Sequence, residues 1–165
     1  MQMELDEIIY NAITANETLK TLCGWVPATG SAPEVKPRIK STTFEVPPVE
    51  EDNTPIPYII IYEEQCQNDQ GTKDSVWECG QDIVNVGVEF AGSSPAEVKR
   101  LRRLIRKAVD TYVKSNETDI ITLRGINYDG VQWFWEKPCY YDTLHYSCYM
   151  INNLNEEENE QEKNN

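Results

Sequence analysis

A chain of 165 residues with 39% hydrophobic content has room for one real core, but its net charge of −13 opposes bulk contact with nucleic-acid phosphate or an anionic membrane. No apolar run approaches the roughly 18 residues of a membrane-spanning helix. The acidic start, Met1 to Glu7, lacks the basic-then-apolar layout of a secretory leader, so synthesis in the cytoplasm and no membrane partner are expected.

Leu5, Ile8, Ile9, Ala12 and Ile13 recur at helical spacing and predict an amphipathic helix over about residues 3 to 15. Asn16 reads as a fresh cap, with a short second turn carrying Leu19 and Leu22 and stopping at Gly24. Residues 25–57 hold seven of the nine prolines and sustain neither period. That composition reads either as an extended arm on a surface, docked by Phe44, Val46 and Val49, or as a plain linker. Tyr58-Ile59-Ile60-Ile61-Tyr62 is a continuous apolar run and predicts a central strand buried on both faces. Glu63 to Ser75 is polar and reads as the connection into a second strand, Val76 to Phe90, with a bulge at Gly80. In that strand Val84, Val86, Val88 and Phe90 face one way, and Asn85, Gly87 and Glu89 the other.

Ser94-Pro95-Ala96-Glu97 then predicts a helix start: a capping serine, a proline at the first position and a capping-box glutamate. The helix carries an apolar half through Val98, Leu101, Leu104, Ile105, Ala108, Val109, Tyr112 and Val113. Its other half holds Lys99, Arg100, Arg103, Arg106 and Lys107, with Arg102 at the border. Ile120 to Leu123 reads as a short extended piece. A strand follows over about Ile126 to Trp135, where Asp129-Gly130 marks a bulge or a tight turn. Pro138 to Asp142 reads as a connection to a last strand, Thr143 to Asn152, with Leu144, Tyr146, Cys148 and Met150 on one side. The expected fold is α+β: a four-stranded, mostly antiparallel sheet with two helices packed on one face, in the order α-β-β-α-β-β. One domain spans residues 1–152. Residues 153–165, with five glutamates after Leu154, form an acidic, solvated tail.

Signs of chemistry are sparse. The five cysteines are scattered without a CxxC, so zinc and a disulfide framework are not expected and the thiols are read as free and at least partly buried. His145, the single histidine, reads as a surface or sheet-face residue with no nucleophile motif nearby. The acidic clusters lack a calcium-loop layout, and Gly92 stands alone where a phosphate loop needs two glycines and a lysine. No cofactor, no metal and no enzymatic activity are expected.

Two features point towards recognition. Trp133 and Trp135 alternate with Phe134, so one aromatic set is exposed unless another surface covers it; core alone and core plus interface both remain open. The basic helix face has three readings: a solvated surface pairing with local carboxylates, a contact between copies, or a nucleic-acid contact. As a contact between copies it would set the stripe of one acidic subunit against acidic loops of the next, a head-to-tail geometry that closes into rings.

The layout resembles the tail-completion or tail-terminator proteins of tailed bacteriophages, including their neck relatives. The residues that carry the resemblance are the first helix with its Leu19–Gly24 turn, Pro57-Tyr58-Ile59-Ile60-Ile61 after a proline-bearing loop, Val86-Gly87-Val88-Glu89-Phe90, the helix opened by Ser94-Pro95, and a closing hairpin. It covers residues 3 to 152 as an order of elements; the long arm and the acidic tail depart from the pattern. The resemblance implies a non-enzymatic virion subunit, often in a hexameric ring, that stops growth of the tail tube and meets the head-tail connector. It makes the basic helix and the arm candidate contacts with neighbours or the connector. It also makes Glu63, Glu64, Asp69 and Asp74 candidates for an acidic loop facing a lumen through which DNA slides without specific binding. A rival reading from another class is a small acidic binding protein that mimics DNA or neutralises a basic partner.

Overall fold

The computed structural model describes residues 4–41, 57–68, 81–116, 120–134 and 139–151. Of the expected arm, residues 42–56, with Phe44, Val46 and Val49, lie outside them. So do Asp69, Asp74, Gly80, Trp135 and the acidic tail.

The fold is α+β, with three helices and one mixed sheet. Helix α1 (Leu5–Thr14) buries Leu5, Ile8, Ile9, Ala12 and Ile13. Its ten residues fall short of the roughly 12–15 that an isolated helix needs, so packing of this face holds it. Helix α2 (Glu17–Leu22) starts where Asn16 Oδ1 accepts the Leu19 N–H at 3.0 Å. It ends on Gly24 at φ +85°, where Gly24 N–H reaches Thr21 O and Trp25 N–H reaches Lys20 O. These two bonds make a Schellman stop that needs a left-handed residue, hence glycine.

The proline-rich segment departs from an arm at its start. Val26 bridges Val35 and Thr29 bridges Ala32, forming a small hairpin. Trp25 Nε1 donates to Glu34 Oε1 at 2.6 Å, and Lys20 Nζ lies 4.1 Å over the Trp25 ring. The chain then returns as β1 (Ile39–Lys40), parallel to β2 (Tyr58–Asn68). Local bonds that a period search cannot see thus fold residues that look extended.

Strand β2 pairs antiparallel with β3 (Gln81–Gly92), and β3 with β6 (Cys139–Ile151). The far side of β6 holds both β4 (Ile120–Tyr128) and β5 (Gln132–Phe134). The order is β1-β2-β3-β6-β4 with β5 also on β6, in place of the four strands expected. Tyr58–Tyr62 is therefore second from one edge and not central. Its apolar run reports burial on two sides: Ile59 and Ile61 join the main core, while Tyr58 and Ile60 join Ala91 and Cys139 on the other face. Glu63 to Asn68 continue the strand, because the backbone pairs with β3 while the side chains from Glu63 to Gln67 stay exposed.

Residues 139–142, expected as a connection, begin the central strand β6. Ile120–Leu123 and Ile126–Tyr128 are one strand. Asp129 and Gly130 then interrupt a continuous edge along β6, with Gly130 at φ +89° and Asp129 N–H bonded to Thr143 O. Of the two alternatives there, the irregularity within an edge is the one formed.

Helix α3 (Pro95–Ser115) follows β3 and lies over β3 and β6. Ser94 Oγ accepts the Glu97 N–H at 3.2 Å, as the motif predicts. The return half differs: Glu97 Oε2 accepts from Ser93 N–H at 2.6 Å and from the Ser93 hydroxyl, one residue earlier than a capping box. The core lies between the helices and one sheet face, filled by Val84, Val86, Val88, Phe90, Leu144, Tyr146, Cys148 and Met150.

Candidate functional site: a basic helix face and a tyrosine–carboxylate sheet face

Helix α3 divides its side chains cleanly. Val98, Leu101, Ile105, Ala108 and Val109 are buried, while Lys99, Arg100, Arg103, Arg106 and Lys107 are all exposed on the side away from the sheet. Lys99 with Arg103, Arg100 with Arg103, and Arg103 with Arg106 and Lys107 stand three or four positions apart. Like charges at that spacing destabilise a helix by about 0.2–0.5 kcal/mol per pair. Among the described residues the ion pairs are Arg102–Asp142, Lys114–Asp110 and the two made by His145, so none of the five draws a local carboxylate.

Arg102, at the border, is held differently. Its Nη1 donates to Asp142 Oδ2 at 2.9 Å, and its guanidinium carbon lies 4.1 Å from the Tyr128 ring centre. Asp142 is fully buried; its other oxygen accepts from Gly130 N–H and Thr143 N–H. A carboxylate and a tyrosine face together thus fix one arginine. Both groups recognise guanidinium, the first by charge-assisted hydrogen bonds and the second by cation–π attraction.

The expected acidic loop is not formed by Glu63 and Glu64. Both are strand residues, and the alternation of side chains along the strand sends them to opposite faces. Glu63 sits on the helix side, where Glu4 has its carboxyl pushed up by partial burial and by the charges of Asp6, Glu63, Glu7 and Asp82. Glu64 sits on the other face, against His145.

That second face carries a polar group the sequence does not announce. His145 Nδ1 lies 2.7 Å from Glu64 Oε1 and its Nε2 lies 3.1 Å from Asp129 Oδ1. Partial burial pulls the imidazole pKa down, but hydrogen bonds to Asp129 and Glu64 and their charge outweigh it, and the net shift is upward. Beside it, the Tyr62 ring lies across Gly87, where a Cβ would stand 2.5 Å from the ring. Its hydroxyl pKa is raised by burial and by the charges of Glu64, Glu89 and Asp129. Tyr58 Oη donates to Glu89 Oε1 at 3.1 Å. His145 is a sheet-face histidine as expected; its two carboxylate partners come from 81 and 16 residues away, beyond any local pattern.

The remaining candidates are more scattered. Trp133 is half exposed on the edge strand β5, its ring 4.6 Å from that of Tyr140. Cys23, Cys139 and Cys148 are buried, whereas Cys66 is exposed, against expectation. Burial pushes the Cys23 and Cys148 thiols up to about 12, which keeps them protonated and poor nucleophiles at neutral pH. Among the described residues no three His, Cys, Asp or Glu side chains are placed to hold a metal ion. A cleft of about 420 Å³ between α1 and α3 is lined by Ala12, Leu104, Lys107, Ala108 and Tyr112. No helix among the described residues is long and apolar enough to cross a membrane.

No protein-family model and no curated protein matches the chain. Among solved structures, a chain from the virion of the native gene transfer agent (GTA) particle is similar with 11% identity and a TM-score of 0.46, over 90% of this chain and 95% of that one. A likeness this loose carries no argument about family or activity.

Proposed function

We propose that this chain is a structural, non-enzymatic virion subunit of the tail-terminator or neck type. It assembles as a ring at the head-tail junction, ends the tail tube and joins it to the connector. The observation that carries the reading is the basic face of α3: five exposed cations, unpaired among the described residues, on a chain of net charge −13. Such a stripe weakens its own helix and gains when an acidic surface covers it, which every further copy supplies. The order of elements behind the resemblance supports the same reading, and the hexamer is implied by that resemblance alone. DNA would pass such a ring without specific binding, since the acidic whole repels phosphate.

Sedimentation of the wild type beside an Arg103→Glu/Arg106→Glu variant tests this. The wild type is expected to sediment as a closed multimer and the variant as a monomer with unchanged circular dichroism, because both positions lie off the apolar face. A monomeric wild type that forms a tight one-to-one complex with a basic protein would replace this reading with the acidic-inhibitor one.

A further inference from the structure

The α3 stripe and the tyrosine–carboxylate face lie on opposite sides of the sheet. Helix α3 packs on the side of Val86 and Tyr146, while Tyr62, Glu64, Glu89 and His145 belong to the opposite face. Among the described residues no helix covers that second face. Its charged groups are within reach of solvent: the side chain of Glu64 is 27% exposed and that of Asp129 is 50% exposed.

The chemistry of this face matches the site that already holds Arg102. There, Asp142 supplies the carboxylate and Tyr128 the ring. On the open face Glu64 and Asp129 both reach His145, Glu89 accepts from the Tyr58 hydroxyl, and the Tyr62 ring lies across Gly87 between them in sequence register. Gly87 is what lets that ring lie flat on the sheet, since any Cβ there would strike it. A planar aromatic that shares a sheet face with carboxylates fits guanidinium groups better than it fits ammonium or apolar partners.

We infer that the tyrosine–carboxylate face around Tyr62, Glu64 and Glu89 receives the arginines of α3, Arg100, Arg103 and Arg106, from a second copy of this chain. The inference rests on the ring-subunit reading and names the contact that builds the ring. Since the two surfaces lie on opposite sides, one copy offers its stripe to the next and keeps its face for the previous one. This is a head-to-tail contact, which closes only as a ring or continues as a filament.

Charge exchange tests it. The stripe variant Arg103→Glu/Arg106→Glu and the face variant Glu64→Lys/Glu89→Lys are each expected to be monomeric by light scattering. Mixed in equal amounts, they are expected to regain a multimer, because both pairings are again opposite in charge. Should the lysine variant fail to fold by circular dichroism, Glu64→Gln/Glu89→Gln is used instead; it is expected to raise the assembly Kd at least tenfold. A folded face variant that assembles like the wild type overturns this contact and leaves the ring reading standing. A wild type that stays monomeric overturns both.

Discussion

Asp142 shows how a single side chain ties the sheet to its main helix. It is fully buried, accepts two backbone N–H bonds at the break in the β4–β5 edge, and pairs with Arg102. Removing one partner of a buried pair leaves an uncompensated charge. Arg102→Met is therefore expected to lower unfolding stability by about 3 kcal/mol in urea denaturation; a loss under about 1 kcal/mol would mean that the backbone donors alone satisfy the carboxylate. Tyr146 behaves oppositely. Its ring fills the core, yet its buried hydroxyl has no hydrogen-bond partner among the described residues. Tyr146→Phe should leave the melting temperature unchanged or raise stability by up to about 1 kcal/mol. His145 makes stability depend on pH. Its folded pKa lies above its ordinary value of 6.5, so the stabilisation is complete below that value and fades as pH rises through the folded one. The pairs are partly exposed, so a decline of about 0.5–1 kcal/mol is expected. His145→Gln should flatten the urea midpoint against pH across that range, and an identical slope in the variant would refute the role of the His145 pairs with Glu64 and Asp129.

At the scale of elements, α3 is the part most legible in the sequence. Its serine cap, its proline and its apolar and basic halves depend only on neighbours three or four positions away and appear as read; only the return bond of Glu97 shifts, to Ser93. Ser94→Ala should accordingly cost about 1 kcal/mol of stability. What misleads is polarity within strands. Glu63–Asn68 looks like a loop because it lacks apolar residues, yet an antiparallel partner needs only its backbone. The continuous apolar run at Tyr58–Tyr62 signals burial on two faces, which a position beside the two-residue β1 also provides. The candidate site was half legible for the same reason. The stripe follows from helix periodicity, whereas the opposing face is assembled from β2, β3, β6 and the Asp129 break, whose register no local spacing encodes. Gly87 in particular reads as a weak strand residue until Tyr62 is seen to occupy the space of its missing side chain. Gly87→Ala should displace that ring and destabilise the sheet by about 1–3 kcal/mol.

For the whole molecule the governing fact is uneven charge. An acidic chain concentrates five exposed cations, without an ion pair among the described residues, on one helix face and carboxylates with tyrosine on the far side of the sheet. In the proposed contact between copies, the two patches would neutralise each other. Assembly of this kind weakens with salt, since charges exposed at the rim are screened over about 8–10 Å at physiological ionic strength. Rising sodium chloride should thus dissociate the multimer without unfolding the subunit. The most direct test of the account is the mass of the purified full chain by native mass spectrometry at low salt. A single closed multimer of the 19.0 kDa subunit is expected. A monomer at every concentration would contradict it.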